Sequence, residues 1–234
     1  VIPVLICPVL NRFDLLERLL RSVDIPVEQV LIVDNSCSGY TVPPDIALPV
    51  GYIRPLTGIG YGGAINQGIM QTAPARWWMW ASNDVEFHPG HLQTVAERMD
   101  VATSPTIITG GFTWAALNDL CLDAVGLVDE WSFFPIYYDD NDYHRRCDLA
   151  GVNWVEDWAN GSNHGDGKHP GSMVINSDAD IKRKNNGSFV ENHQRYLEKW
   201  GGIPGQEVYE TPWNSGLPLW YTRPEIRARA RRMW

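Results

Sequence analysis

Cysteine and positive charge are both scarce in this sequence. Cys7, Cys37, Cys121 and Cys147 lie far apart with no C-x-x-C pair, so neither a zinc site nor a disulfide framework is signalled. Reduced thiols in a cytosolic protein are the simplest account. Lys and Arg number 19 against 28 Asp and Glu, a formal net charge of -9. That balance argues against a nucleic-acid partner, which needs a basic face to neutralise phosphates. No apolar run is long enough to span a bilayer, and Val1 to Leu10 lacks the basic leader and small-residue cleavage site of a signal peptide. The expectation is a cytoplasmic protein without a transmembrane segment. Low-complexity tracts are absent too, so disorder is not indicated.

What is abundant is tryptophan and glycine, with 11 Trp and 21 Gly in 234 residues. That length can bury a sizeable core, and one α/β domain with a C-terminal appendage is expected. Trp77-Trp78-Met79-Trp80-Ala81 is an apolar run with polar flanks, followed by Pro89-Gly90, as a buried central strand would be. It delivers Ser82-Asn83-Asp84 to the carboxyl edge of the sheet, where open α/β sheets bind ligands. A carboxylate there suits magnesium or manganese, although Asp84 could equally just begin a turn.

Taken in order, Val4 to Cys7 reads as a first strand ended by Pro8, and Asp14 to Val23 as a helix with Asn11 as its cap. Val30 to Val33 has the continuous apolar character of a parallel strand and brings Asp34 to the sheet edge. Asp34 either accepts hydrogen bonds from a base or ribose or opens the following loop. Val50 to Ile53 is a third strand. The glycine run from Gly58 to Gly68 turns into a helix near Ala64 and would let the backbone approach a ligand. Its match to a dinucleotide fingerprint is rejected, because that motif belongs after the first strand.

Further on, Pro89 is expected at the first position of a helix from His91 to Met99. Thr106 to Thr109 and Phe112 to Leu117 read as strands, and Asn118 as the cap of a helix ending at Gly126. Asp139, Asp140 and Asp142 open a helix that Gly151 stops. These acids either complement the helix dipole or include a general base. In the loop from Asn160 to Gly171, His164 and His169 are metal ligands or solvated loop residues. Ser188 and Glu191 form a capping box for a helix to Trp200. A Pro- and Trp-rich tail from Pro204 wraps the domain surface, and Pro224 to Trp234 closes as a helix carrying Arg227, Arg229, Arg231 and Arg232.

The order of these motifs resembles the family 2 inverting glycosyltransferases with a GT-A fold, especially the bacterial and phage rhamnosyltransferase-like and galactofuranosyltransferase-like members. The resemblance runs from about Val4 to Trp200. Pro8-Val9-Leu10-Asn11-Arg12 is similar to the family's opening loop, and Val33-Asp34-Asn35-Ser36 to its base-reading V-D-N-x-S segment. Gly60-Tyr61-Gly62-Gly63-Ala64-Ile65-Asn66-Gln67-Gly68 resembles the run along the donor nucleoside, with Gly58 where an Asn is usual. Ser82-Asn83-Asp84 stands in the place of the D-x-D metal motif without its first acid. Val125 to Glu130 followed by Tyr138 to Asp142 resembles the G-L-F-D-E and E-D-x-D pair, with Asp139 in the place of the usual Glu.

The resemblance implies an α/β fold with a mixed, mainly parallel sheet, helices on both faces and a C-terminal helical or extended tail. It implies residues 1–203 as the catalytic domain, with 1–100 holding the nucleotide sugar and 101–203 the acceptor and base, followed by a 204–234 extension. Pro8, Val9, Asn11, Asp34, Gly60, Gly63, Asn66, Asn83 and Asp84 would bind the donor. Asp84 and His164 would hold Mn2+ or Mg2+, and Asp140 would be the catalytic base. His164 follows Gly151 by 13 positions, the offset at which the family places its metal-binding His. The donor would be a nucleotide-diphosphate sugar and the acceptor a glycan, lipid-linked saccharide or protein. Trp114, Trp131 and Trp158 are candidates to stack on the acceptor, or core residues. Apart from the resemblance, the Arg-rich final helix reads as a solvated face rather than a membrane contact, with docking of a second subunit in a homo-oligomer, or of an anionic acceptor, as the alternatives. A sugar nucleotidyltransferase ranks lower, since Pro8 to Arg12 contains no glycine for a triphosphate loop. A non-catalytic sugar-binding protein on the same fold is the remaining alternative.

Overall fold

The computed structural model describes residues 1–36, 38–157, 161–169, 171, 174, 178–223 and 225–226. Its first strand, β1 (Ile2–Val9), is followed by α1 (Phe13–Arg21), β2 (Val27–Asp34), β3 (Val50–Ile53), α2 (Gly60–Gln71) and β4 (Trp77–Ala81). Then come β5 (Val85–Phe87), α3 (His91–Asp100), β6 (Thr106–Gly110), β7 (Trp114–Asn118), α4 (Asp119–Val125) and α5 (Asp139–Ala150). β8 (Asn153–Glu156), β9 (Ser162–His164) and the long α6 (Ala179–Trp200) complete the elements used below.

Seven strands form one sheet in the order β3-β2-β1-β4-β7-β6-β8, with β4 in the centre. The first four run parallel, β7 is antiparallel to both β4 and β6, and β8 is parallel to β6. The sheet is therefore mixed and mainly parallel, as expected. Side-chain alternation builds one apolar layer on each face. Leu5, Cys7, Met79 and Ala81 pack with α1 and α3, while Val4, Ile6, Trp78 and Trp80 pack with α2, α4 and α5. A third cluster of Phe133, Tyr196 and Trp200 fastens α6 to the segment before α5.

Several boundaries differ from the sequence reading for identifiable reasons. β1 continues through Pro8 to Val9, because a missing donor is tolerated next to a strand end. Arg12 rather than Asn11 caps α1; it is left-handed with φ 57°, and no side chain takes the cap bond. α2 begins at Gly60, so the glycines form its first turn instead of preceding it. Gly90 caps α3, which leaves Pro89 outside the helix. α6 starts after Asp178, whose carboxylate accepts from Asp180 N and Ile181 N, and Ser188 lies inside the helix with its hydroxyl on Asn185 O. Asn118 does cap α4, accepting from Cys121 N, and Gly151 ends α5 in the left-handed region.

The tail packs on the domain as expected. Trp220 lies against Gly126, Trp213 lies over Lys199, and Val208 N and Tyr209 N donate to Trp200 O. Cys37, Trp158 and, of the expected C-terminal helix, Pro224 and residues 227–234 with all its arginines lie outside the described residues. Among the described residues no helix is long and apolar enough to cross a membrane.

Candidate active site

Beyond β4 the chain bends through Ser82-Asn83-Asp84 into β5, which pairs antiparallel with β9 and sets Val85 opposite His164. This small two-stranded ladder brings together two side chains 80 positions apart, with His164 Nε2 at 3.3 Å from Asp84 Oδ2. Two ligands at right angles on a hard divalent cation, with bonds of about 2.0–2.1 Å, stand about 3 Å apart. The pair therefore fits such a cation as two of its ligands. Among the described residues no group of three or more His, Cys, Asp or Glu could hold a metal. The remaining positions would fall to water and substrate oxygens, as is usual for magnesium.

Arg18 secures this corner from α1. Its guanidinium donates to Asp84 O at 3.1 Å and to Gly165 O, while Gly165 N donates to Asp84 O at 2.9 Å. A cavity of about 380 Å³ opens at His164, lined also by Arg18, Glu86, Lys168 and His169, while Asp84 is not among its lining residues. Sequence reasoning missed Arg18; one Arg on the polar side of an amphipathic helix carries no local signal. His169 is 3.2 Å from Asp166, not from Asp84.

The other expected donor residues converge on the same sheet edge. Asn83 donates its amide to Asn11 O at 2.7 Å and Arg12 O at 3.1 Å, tying β4 to the β1–α1 turn. Val9 O accepts from Asn35 N at 2.7 Å, and the Asn35 side chain bridges to Ile59 N and Gly60 O at the start of α2. Pro8 pairs with Val33 within the sheet. Asp34 is fully buried and accepts from Ser36 N, Ser36 Oγ, Gly39 N and the Tyr52 hydroxyl. Burial opposes its ionisation, but these bonds win and lower its carboxyl below the ordinary value.

The glycines of α2 have a packing reason. A Cβ on Gly60 would lie 2.8 Å from Pro135 O, and one on Gly62 2.8 Å from a Val128 methyl. Gly60 also has φ 74°, which a side chain would strain. Gly63 faces Ile59 and Glu130. Asn66 uses both ends of its amide on the same loop: it donates to Val128 O at 2.8 Å and accepts from Val128 N at 3.0 Å. The glycine run thus seats the segment leading into α5 against the sheet edge.

Tyr61 is where the two parts meet. Its hydroxyl donates to Phe112 O at 3.0 Å and accepts from Ser82 Oγ at 3.0 Å. Burial raises its phenol, and the charges of Asp139 and Asp84 add to the effect. Asp139, at the start of α5, is buried with Oδ2 lacking a hydrogen-bond partner. Burial first, and then the neighbouring Asp140 charge, push its carboxyl up to about 8. Asp140 is half-buried, accepts from Asn141 N at 2.8 Å, and is also raised by burial. Among the described residues no hydrogen bond or ion pair links Asp140 to Asp84 or His164, and Asp140 does not line the cavity at His164. Asp139 was one of three acids that the sequence offered as general base, with Asp140 preferred, and Tyr61 was not given a role of its own. The stripe of Asp139, Asp142, Tyr143 and Arg146 on one face of α5 was the available signal.

Of the tryptophans proposed to meet an acceptor, Trp114 is a core residue. It is fully buried, edge-on to Phe87 and His91, with its indole N–H on Ser162 Oγ. Trp131 is half-buried in the loop before α5.

No family profile matches the sequence, and no curated protein matches it. Solved structures match its fold. TarS 1–349 of S. aureus aligns at 12% identity and TM-score 0.54, covering 70% of this chain and 60% of that one. The same S. aureus protein in complex with UDP-GlcNAc aligns at 13% identity and TM-score 0.54, covering 71% and 59%. Mannosyltransferase PcManGT from Pyrobaculum calidifontis, in complex with GDP-Man and Mn2+, aligns at 13% identity and TM-score 0.53, covering 66% and 54%. The chain thus spans three fifths or less of these structures' length. They share with it the α/β architecture of the GT-A type.

Proposed function

We propose that this protein is an inverting glycosyltransferase that uses a divalent cation to move a hexosyl or pentosyl group from a nucleotide-diphosphate sugar to an acceptor hydroxyl. The observation that carries the reading is the Asp84–His164 pair, 3.3 Å apart at the carboxyl edge of the central strand. The Tyr61 phenol, bonded to Ser82 two residues before Asp84, is raised by burial, and the charges of Asp139 and Asp84 add to the effect. Two neighbours of the same fold were solved with nucleotide sugars, one of them also with Mn2+, which supports a similar donor here. On this reading residues 1–100 hold the donor, 101–203 the acceptor and base, and 204–234 form an extension.

Asp84 and His164 would hold Mn2+ or Mg2+, which when bound neutralises the charge of the departing diphosphate. Arg18 and Lys168 bring positive charge to the adjoining cavity, which Glu86 also lines, 3.7 Å from Arg18. Asp140 takes the proton of the attacking hydroxyl. The acceptor oxygen bonds to the anomeric carbon as the carbon–phosphate oxygen bond breaks, and the electron pair leaves with the nucleoside diphosphate. One in-line displacement inverts the anomeric configuration and needs no covalent intermediate. The division of labour between the paired acids follows from their surroundings. Asp139 is buried, whereas Asp140 is half-buried and is the one of the two that an acceptor hydroxyl can reach.

The test is Asp140→Asn, assayed with UDP-GlcNAc and GDP-Man in manganese. Donor binding, read as a thermal shift, is expected to persist while transfer falls by about 10²–10⁴-fold. Full turnover in the variant removes Asp140 from the role of base.

A further inference from the structure

Immediately before Asp139 the backbone passes through two successive non-glycine residues in the left-handed region, Tyr137 at φ 79° and Tyr138 at φ 68°. Side-chain-bearing residues avoid this region unless their surroundings enforce it. Here α6 does so. Asn192, fully buried, donates its amide to Ile136 O at 2.9 Å and to Tyr137 O at 3.1 Å. One residue on, His193 Nδ1 lies 2.7 Å from the Tyr138 hydroxyl.

The result is an aromatic group at the threshold of α5. Phe189 meets Tyr137 edge-on at 5.5 Å and Tyr138 at 5.4 Å, and Tyr138 also lies 5.4 Å from His193 and 5.6 Å from Tyr196. Phe189, Asn192, His193 and Tyr196 repeat at the spacing of one helical face. Burial grades along that face: Tyr196 is inaccessible, whereas Phe189 is 49% exposed and the adjacent Val190 70%. An apolar patch left open to water is the informative exception in a folded surface. This one is small and continuous with the Tyr138 phenol, which is raised by burial and next by the charge of Asp140.

We propose that Tyr137, Tyr138 and Phe189 form the acceptor subsite, a shelf on which the C–H face of a sugar ring stacks while one of its hydroxyls is offered to Asp140. This rests on the reading above and narrows its acceptor to a carbohydrate. The chemistry matches. The face of an aromatic ring is negative and attracts the polarised C–H groups of a pyranose or furanose. The Tyr138 hydroxyl and the His193 imidazole add polar groups for its rim. An acyl chain would need a longer apolar track than Phe189 and Val190 provide. Asn186, one turn earlier on α6, is already polar and exposed.

The experiment is saturation-transfer NMR of the full chain with cellobiose, maltose, lactose and methyl α-rhamnopyranoside as probes, comparing wild type with Phe189→Ala and Tyr137→Ala. Both positions are at least partly exposed, and far-UV circular dichroism verifies that the variants fold. Transfer to sugar ring protons is expected in the wild type, with about two- to tenfold weaker binding in each variant, the worth of one aromatic contact. No transfer in the wild type, or equal transfer in the variants, overturns the shelf. A thermal shift with UDP-GlcNAc and Mn2+ or GDP-Man and Mn2+, run alongside, is expected to be the same in all three proteins. A shift reduced in the variants places the aromatic residues at the donor and overturns the acceptor assignment. Its absence from every protein counts against glycosyl transfer, whereas sugar stacking is decided by the NMR alone.

Discussion

At the sheet edge, Asp84 follows a strand of five buried apolar residues, and the loops around it are tied by neutral amides such as Asn35, Asn66 and Asn83. The base of α5 is supported quite differently. One turn beyond Asp139, Asp142 is fully buried and lies 2.6 Å from Lys199 Nζ and 2.9 Å from Arg146 Nε. Lys199 in turn lies 2.9 Å from Asp129, and the Trp200 indole N–H donates to Asp142 at 2.9 Å. Two buried cations thus face two buried carboxylates across α5, α6 and the loop that seats on α2. Burial opposes ionisation of Asp129, but Lys199 outweighs it and holds the carboxyl at about 2. An apolar strand positions by packing and yields gradually. A buried charge network positions by pairing and fails abruptly, because losing one member strands its partner in a medium that cannot solvate it.

The sharpest way to break this comparison is Lys199→Met, which leaves Asp129 and Asp142 short of a cation. A loss of about 3–5 kcal/mol in urea-unfolding stability is expected, and a loss near zero would mean that the network does not hold α5.

A change at Asp139 is expected to act through pH. Its folded carboxyl is pushed up to about 8 from an ordinary 3.8 in the unfolded chain. Between those values the folded state keeps a proton that the unfolded state has lost, so stability falls as pH rises through that window. Asp139→Asn removes the penalty. The melting temperature of the variant minus that of wild type should grow from about pH 5 to about pH 8. A difference that stays flat would mean that Asp139 ionises normally.

The smallest effect belongs to the amide ties. Asn118 accepts from Cys121 N at 2.9 Å and Thr106 N at 3.0 Å, and Asn118→Ala is expected to cost about 1 kcal/mol in the same urea assay. A loss as large as that of Lys199→Met would erase the distinction between the two kinds of support.

Much of the sheet was legible because its signals are local. The runs Val50 to Ile53 and Trp77 to Ala81 coincide with β3 and β4; β4 is buried throughout and continuously apolar, whereas β3 is a part-exposed edge strand marked by its β-branched and aromatic residues. Asn118 and Gly151 were readable as helix ends because capping chemistry needs only a few neighbouring residues. The misreadings are equally instructive. Ser188 and Glu191 carry a capping-box spacing in mid-helix, where the Ser188 hydroxyl bonds back to Asn185 O. Asp178 takes the cap ten residues earlier. Of the glycine run, Gly60 and Gly62 also make room for Pro135 and Val128, a packing role that the sequence alone did not suggest.

By itself, then, the sequence determined most strands of the large sheet, several helix ends and the acids at the ends of β4 and α5, all of which depend on chain neighbours or on the pattern of apolar side chains. Only tertiary structure decided which of those groups meet. β5 and β9 are three residues each, too short to announce themselves, yet their pairing sets His164 beside Asp84. The Lys199 network joins side chains up to 70 positions apart. The physical reason is the same in both cases: a contact between distant segments depends on how the chain closes, and no window of neighbouring residues carries that information.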